Sequence, residues 1–136
     1  MSGILKITDA ASLALHTMAF LASQNISIPV SVKVIAEAYD VSEAHLSKVI
    51  QRLAHAGMVK TTRGPGGGVT LAKTPDKITL LEVYETFEGP LTDSNCLLGS
   101  SGCGYKNCIL GDLLGSLNKQ VKKRLSGTKL SDLVLN

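Results

Sequence analysis

The chain has 136 residues, enough for one domain with a buried core and too few for two independent domains. Aromatic residues make up only 4% of it, so aliphatic side chains must fill the core, a composition that favours helices. The formal net charge of +3 is mildly basic and does not by itself indicate a nucleic-acid partner. No apolar run reaches membrane-spanning length and no signal-peptide pattern opens the chain, so we expect a cytoplasmic protein without a membrane partner.

The basic residues are unevenly distributed along the chain. Residues 45–73 carry five lysines and arginines and no acidic residue: Lys48, Arg52, Lys60, Arg63 and Lys73. Acidic residues crowd the stretch that follows: Glu82, Glu85, Glu88 and Asp93. The positive field is therefore local, which is typical of a surface that meets a polyanion.

Three helices are predicted up to Gly57. Thr8 can cap the first, which runs to about Gln24 with apolar residues at helical spacing. Ser31 can cap a short second helix, and Ser42 can cap a third that Gly57 ends. Because the second and third helices are joined by a short turn with an apolar residue, they have the spacing of a helix-turn-helix.

A β-hairpin and a fourth helix follow. The segments MVKTTR and VTLAK favour β-structure, and residues 64–68 between them, four glycines and a proline, predict a hairpin loop. A hairpin in this position is a wing. Thr79 can cap a fourth helix that continues through Glu88, and Gly89 with Pro90 ends it.

All the cysteines lie between the fourth helix and a long last helix, with the spacing C-x6-C-x4-C: Cys96, Cys103 and Cys108. Their odd number argues against a disulfide framework and for thiols that are free or metal-bound in a reducing compartment. The long helix carries an apolar stripe: Leu110, Leu113, Leu114, Leu117, Val121 and Leu125. Ser126 with Gly127 breaks the helix, and Thr128 can cap a short final one.

The predicted fold is mainly α with a small β-hairpin wing, a winged helix-turn-helix followed by a long C-terminal helix. We place the winged helix-turn-helix at residues 1–90, the cysteine-containing loop at 91–108, and the long helix with the tail at 109–136.

Two motifs resemble one known family. They are VSEAHLSKVIQRLAHAGMVKTTRGPGGGVTLAK over residues 41–73 and the three-cysteine loop, and the opening KITDAASLALHTMAFLA fits the same pattern. On these motifs the chain is identified as a member of the Rrf-two (Rrf2) family of bacterial winged-helix transcription regulators. The resemblance implies a homodimer that pairs through the long helix, binds double-stranded DNA at a palindromic operator, takes no small-molecule substrate and is not an enzyme. A repressor is the preferred direction of regulation.

Residues that contact DNA are expected on the third helix and in the wing. The second helix of a helix-turn-helix lies in the major groove with its N-terminal residues on base edges. The candidates are Glu43, His45, Ser47, Lys48, Gln51, Arg52, Lys60, Arg63 and Gly64. The resemblance implies that Arg63 at the wing tip enters the minor groove. The alternative is that these residues form an ordinary solvated face and a plain turn.

The resemblance also implies that the three cysteines hold an iron–sulfur cluster, either two-iron or four-iron. Family members place five residues between neighbouring cysteines, so the spacing here departs slightly, although the total span is the same. The fourth ligand we prefer is His16, one turn after the family's carboxylate position, where Ser12 stands. Asp9 and Asp112 are nearby oxygen donors, and Gly111 stands where some members have a histidine.

Other interpretations of the cysteines stay open. The thiols can act as a direct oxidation switch, bind zinc, or be inert. Control can instead come from a protein partner that docks on the surface. A cysteine-based redox enzyme is disfavoured, because the chain has no CxxC pair, no phosphate-binding glycine loop after a strand and no histidine–carboxylate pair beside a nucleophile.

Overall fold

The computed structural model describes residues 6–91 and 109–133. Over these residues the elements are α1 (Asp9–Ser23), α2 (Val32–Ala38), α3 (Glu43–His55), β1 (Val59–Thr62), β2 (Gly68–Leu71), a 3-10 turn (Pro75–Lys77), α4 (Leu80–Glu88), α5 (Leu113–Gly127) and a second 3-10 turn (Leu130–Asp132). The expected mainly helical fold with a two-stranded wing is confirmed. In the part of the chain that the structure describes, no helix is long and apolar enough to span a membrane.

The first four helices begin where the sequence predicts a cap. In each, the side-chain oxygen of a serine or threonine accepts a hydrogen bond from a backbone N–H of the first turn, which would otherwise be unpaired. The caps and their hydrogen-bond lengths are Thr8 at 3.2 Å, Ser31 at 3.2 Å, Ser42 at 3.0 Å and Thr79 at 3.2 Å. Local chemistry therefore sets the N-termini of α1 to α4.

The structure differs from the prediction at both ends of α5. The helix begins only at Leu113, after Gly111 takes a left-handed φ of +64° and interrupts the helical path. At the other end α5 continues through Gly127, and Thr128 does not cap a further helix. The carbonyl of Thr128 instead accepts a hydrogen bond from the N–H of Leu80 at 2.9 Å, so this segment pairs with the start of α4. Up to residue 133, where the described part of the chain ends, the predicted final helix is represented by the 3-10 turn Leu130–Asp132.

An aliphatic core joins the helices and the wing. α1 lies at its centre and contacts α3, α4 and β2. The largest fully buried apolar side chains are Met18, Ile35, Leu46, Leu53, Ile78, Leu114 and Leu130. Each aliphatic side chain buried in this way contributes about 1.5–3 kcal/mol. The core therefore holds α3 and the hairpin on one scaffold.

The turn between α2 and α3 is defined by its backbone. Asp40 has a left-handed φ of +52°, which aspartate tolerates better than most residues. The N–H of Val41 donates to the carbonyl of Ala36 at 3.0 Å and closes the turn onto the end of α2. The turn therefore sets where α3 begins relative to α2.

The wing is held by a third backbone segment. β1 and β2 pair antiparallel, and Val30, ahead of α2, exchanges two backbone hydrogen bonds with Val69 of β2, at 3.0 and 2.8 Å. The hairpin cannot swing away from the helix-turn-helix without breaking these bonds.

Gly68 allows this close approach. Its φ is +154°, and a Cβ at this position would lie 2.4 Å from the carbonyl oxygen of Val30. Because that neighbour is a backbone atom, no side-chain rotation can relieve the collision. Only glycine therefore fits between the wing and residue 30.

We expect Gly68→Ala to destabilise the protein by about 2 kcal/mol, because it combines a disfavoured φ with a backbone collision. A loss of that size lowers the Tm by roughly 6–10 °C in a chain of this length, measured by circular dichroism. Gly127→Ala is the matched control, since the Cβ position of Gly127 has nothing within 4 Å. Equal Tm values for wild type and Gly68→Ala would contradict this account of the wing.

Candidate functional site

α3 turns a polar face to solvent because its apolar face is buried. The buried residues are Leu46, Val49, Ile50 and Leu53. The candidate DNA contacts on this helix lie off that face: Glu43, His45, Lys48, Gln51 and Arg52 are exposed, and Ser47 is half-buried. The structure therefore brings them to the solvent side of the helix.

The wing is rigidly joined to α3. Its exposed candidates are Lys60, Arg63 and Gly64. The N–H of Met58 donates to the carbonyl of Leu53 near the end of α3 at 3.0 Å, and the carbonyl of Met58 accepts from the N–H of Ala72 at 2.9 Å. Backbone hydrogen bonds therefore connect the end of α3 to the hairpin.

This combined surface is poor in acidic groups. Glu43 is the acidic residue in the first turn of α3, and residues 45–73 contain none. Within residues 6–91 and 109–133, no carboxylate forms an ion pair with Lys48, Lys60 or Arg63. These cations are therefore available to phosphate oxygens.

Arg52 points elsewhere. Its Nη2 donates a hydrogen bond to the carbonyl of Thr86 at 3.0 Å, and its guanidinium carbon lies 4.3 Å from the ring centroid of Phe87. Both partners belong to the last turn of α4. The structure therefore places this predicted DNA contact against a neighbouring helix.

A cleft of about 440 Å³ opens between α1 and the helix-turn-helix. Its lining residues are Asp9, Ser12, Leu13, His16, Tyr39, Val41 and His45. The cleft brings together three of the residues considered around a fourth cluster ligand, and it adds His45 from the first turn of α3. Asp112 is not in the cleft; it is exposed and precedes α5.

His16 is oriented in a way that suits metal binding. Its Nδ1 lies 2.7 Å from the carbonyl oxygen of Ser12. Because a carbonyl can only accept, Nδ1 carries a proton, and in the neutral imidazole Nε2 then keeps its lone pair. A backbone hydrogen bond on one ring nitrogen is the usual arrangement when the other nitrogen binds a metal.

Tyr39 connects His16 to the helix-turn-helix. Its ring packs edge-on against the imidazole at 5.6 Å between centroids, and its hydroxyl donates to the carbonyl of His16 at 2.9 Å. Burial raises the pKa of the Tyr39 hydroxyl, so the group stays protonated and remains a donor. Tyr39 directly follows α2, so the position of His16 is coupled to the turn before α3.

The predicted cysteine ligands Cys96, Cys103 and Cys108 lie outside the described residues. Among the residues that are described, no group of three or more histidine, cysteine, aspartate or glutamate side chains is arranged to hold a metal ion. The cleft alone is therefore not a metal site, and its donors could serve only as part of a larger set.

The apolar stripe of the last helix is divided between two directions. Leu114 is buried, while Val121 and Leu125 are half-buried. Three members of the stripe are exposed: Leu110 at 38%, Leu113 at 48% and Leu117 at 39%. Ile109, which precedes the stripe, is 69% exposed. One side of the stripe therefore packs on the protein's own α4, and the other presents apolar surface.

Two features were missed from the sequence. His45 was expected only to face DNA, yet it also lines the cleft. Arg52, a candidate DNA contact, also contacts α4. Pro90 was a signal in the sequence for the contact of Arg52. A proline has no N–H, so the carbonyl of Thr86, four residues earlier, lacks its helical donor.

Comparison with known sequences identifies relatives along nearly the whole chain. A family model described as "Rrf2: Iron-dependent Transcriptional regulator" matches residues 7–136. The HTH-type transcriptional regulator NsrR of Bacillus licheniformis is 33% identical over 138 residues, which cover 97% of this chain and 94% of that protein. The HTH-type transcriptional regulator IscR of Aliivibrio salmonicida is 29% identical over 97% of this chain and 79% of that protein.

Solved structures share the fold. CymR, described as the global cysteine regulator of B. subtilis, superposes with a TM-score of 0.79 at 31% identity and covers 95% of both chains. IscR of T. potens gives a TM-score of 0.72 at 28% identity, over 94% of this chain and 85% of that one. These relatives are described as regulators, in agreement with the expectation that the chain is not an enzyme.

We expect His16 to populate the tautomer with the proton on Nδ1 in the metal-free protein at pH 8, because the Ser12 carbonyl holds that proton. Long-range nitrogen–proton NMR correlations on a ¹⁵N-labelled sample report the tautomer directly. His55, exposed at the end of α3, serves as the internal control and should show the Nε2–H form that a solvated histidine side chain prefers. A His16 spectrum of the Nε2–H type would remove the geometric support for a ligand role.

Proposed function

The chain belongs to the Rrf2 family of transcription regulators, and we propose that it is a homodimeric repressor whose affinity for a palindromic operator is controlled by an iron–sulfur cluster. The match over residues 7–136 and the relatives described as transcriptional regulators confirm the family that the two sequence motifs indicated. A cytoplasmic location, where thiols stay reduced, belongs to the same proposal.

The surface that reads DNA is the solvent face of α3 together with the wing. Glu43 and Gln51 carry groups that suit the amino groups of cytosine and adenine, and Lys48 suits guanine or phosphate. Arg63 is exposed in the hairpin turn, and we assign it to the minor groove beside the major groove proposed for α3. What supports this assignment is that both parts are exposed, poor in acid and rigidly joined.

Two copies of this surface are needed for tight binding. One recognition helix and one wing contact only half a site, and a palindrome supplies the second half. Leu113 and Leu117 at the start of α5, with Ile109 and Leu110 just before it, form an exposed apolar surface. We assign that surface to the contact with a second copy of the chain.

The donors available fit an iron–sulfur cluster. Cys96, Cys103 and Cys108 supply soft thiolates, and His16 supplies an imidazole whose Nε2 carries no proton. When bound, the cluster would supply iron that reacts with nitric oxide or oxygen, or that changes its own redox state. The description of the family as iron-dependent is consistent with this cofactor.

His16 links this site to the recognition surface. The cleft is lined both by His16 and by His45, a residue in the first turn of α3, and this shared lining is the observation that carries the proposal. Tyr39 holds the backbone of His16 from the end of α2. A change in the position of His16 therefore displaces the turn before α3. This displacement shifts the dimer between a state with high affinity for DNA and a state with low affinity.

Two other modes of control remain as outcomes of the experiment. The same regulator can respond through direct oxidation of its thiols, without a cluster. It can also respond to a protein partner and make no use of the cysteines. Both modes predict a colourless protein, and only the thiol switch depends on Cys96, Cys103 and Cys108.

We expect anaerobically purified protein to be brown and to contain iron and acid-labile sulfide, and a triple Cys96→Ala/Cys103→Ala/Cys108→Ala variant to be colourless. An operator duplex is first selected from a random pool with the wild-type protein. Nitric oxide or air should then change the affinity of wild type for that duplex by about tenfold or more, and should leave the triple variant unaffected.

Matched histidine variants test the fourth ligand in the same experiment. His16→Gln should release its cluster faster in air than wild type, whereas His55→Gln should not. Colourless wild-type protein whose binding still responds to oxidants through the cysteines would establish the thiol switch instead. Equal DNA binding by wild type and triple variant under every condition would refute control by the cysteines.

We expect Leu113→Glu/Leu117→Glu to convert the dimer into a monomer, because two carboxylates would be buried unpaired at the proposed contact. Sedimentation velocity measures the oligomeric state, and affinity for the operator should fall together with dimerisation. Lys119→Glu, an exposed change on the same helix, is the control for added negative charge. A double variant that remains dimeric would place the interface elsewhere.

A further inference from the structure

We propose that Arg52 is a positioning residue, one that clamps the recognition helix α3 to α4 and supports DNA binding through that clamp instead of through contact with a base or phosphate. The inference rests on the proposed placement of α3 in the major groove. It concerns how α3 is held at the angle the groove requires.

The first contact satisfies a carbonyl that α4 cannot satisfy itself. In a continuing helix the carbonyl of Thr86 would accept from the N–H four residues later, but that residue is Pro90, which has no N–H. The preceding carbonyl, of Glu85, does receive its bond, from Gly89 at 3.0 Å. Arg52 donates to the carbonyl that proline leaves open, at 3.0 Å. Its positive charge also complements the C-terminal end of the helix dipole.

The second contact uses the shape of the guanidinium. Its carbon lies 4.3 Å from the centroid of the Phe87 ring, within the range of a cation–π contact. A planar guanidinium can cover a ring with its face and donate from its edge at the same time, whereas a lysine ammonium cannot do both. The pair of contacts therefore requires arginine and not merely a positive charge.

The surroundings of Arg52 differ from those of Lys48, one turn earlier on the same helix. Both residues line a depression of about 430 Å³ between α3 and α4, with Gln51, His55, Ala56 and Thr86. Lys48 has no carboxylate partner among the described residues, whereas the guanidinium of Arg52 is engaged by α4 on its edge and on its face. For Arg52 to extend away from α4 it would have to break both contacts.

The clamp joins α3 to a turn with other connections. Glu88, in that turn, accepts a hydrogen bond through Oε2 from the N–H of Thr8, the cap of α1, at 2.6 Å. From Gly89 and Pro90 the chain continues into the residues that carry the cysteines. Arg52 therefore ties the recognition helix to the element that leads into the proposed sensor segment.

The test compares variants on the operator duplex selected by wild type and on an unrelated duplex of equal length, over a range of salt concentrations. Arg52→Lys and Phe87→Leu should each weaken binding to the selected duplex by about three- to tenfold, since each removes one side of the clamp. Neither should change the slope of log affinity against log salt, because no phosphate contact is lost. Phe87→Tyr keeps the ring face and should bind like wild type.

Two further variants sharpen the comparison. The double variant Arg52→Gln/Phe87→Leu should bind no worse than Arg52→Gln alone, because the two residues form one clamp. Lys48→Gln is the control for a phosphate or base contact and should reduce the salt slope by about one if it contacts phosphate, or relax sequence preference if it reads a base. Circular dichroism checks that each variant is folded. If Phe87→Leu is unfolded, the clamp is tested by comparing the DNA affinity of Arg52→Lys, which should be weaker than wild type, with that of Phe87→Tyr, which should equal wild type.

The clamp is overturned if Arg52→Lys binds like wild type while Arg52→Gln loses affinity with a lower salt slope, the behaviour of a phosphate contact. Wild-type binding by a folded Phe87→Leu overturns it too. A different result would overturn the placement of α3 in the groove. In that case Ser47→Ala, Lys48→Gln and Gln51→Ala would all keep the affinity and the sequence preference of wild type. Failure of the clamp and failure of the proposed function are thus distinguishable.

Discussion

The burial of one face of α3 determines how the rest of the molecule is arranged. That helix has apolar side chains on a single side, and burying Leu46, Val49, Ile50 and Leu53 stabilises the fold by about 1.5–3 kcal/mol for each residue. This fixes the rotation of the helix about its axis, so its polar residues can only face solvent. The position of the wing depends on α3, because β1 begins shortly after α3 ends. Met58 between them forms backbone hydrogen bonds with Leu53 of α3 and with Ala72, which follows β2.

The contacts that orient the functional surfaces are of a different kind from the core. Val30 with Val69, Tyr39 with His16, and Arg52 with Thr86 are polar contacts between segments that are distant in sequence. Such hydrogen bonds contribute only about 0.5–3 kcal/mol each, depending on charge. They therefore orient the surfaces of the molecule, whereas the aliphatic core supplies most of its stability.

The His16 cleft and the end of α4 both lie next to α3. The cleft that contains His16 lies on the side of α1 that meets the helix-turn-helix, and the recognition surface starts at the same turn. The end of α4 contacts α3 through Arg52 and α1 through Glu88. Both α1 and α4 are therefore close to α3 through contacts of single side chains.

The sequence by itself determined the features that depend on neighbours in the chain. The caps at Thr8, Ser31, Ser42 and Thr79, the apolar stripe of α3 and the glycine-rich hairpin follow from hydrogen bonds and periodicities that span a few residues. Only the tertiary structure decided which side chains come together across the fold. His45 and His16 line one cleft, Arg52 contacts α4, Thr128 pairs with Leu80, and the leucine stripe is divided between α4 and solvent. These contacts depend on the packing of elements far apart in sequence, and no local pattern encodes that packing.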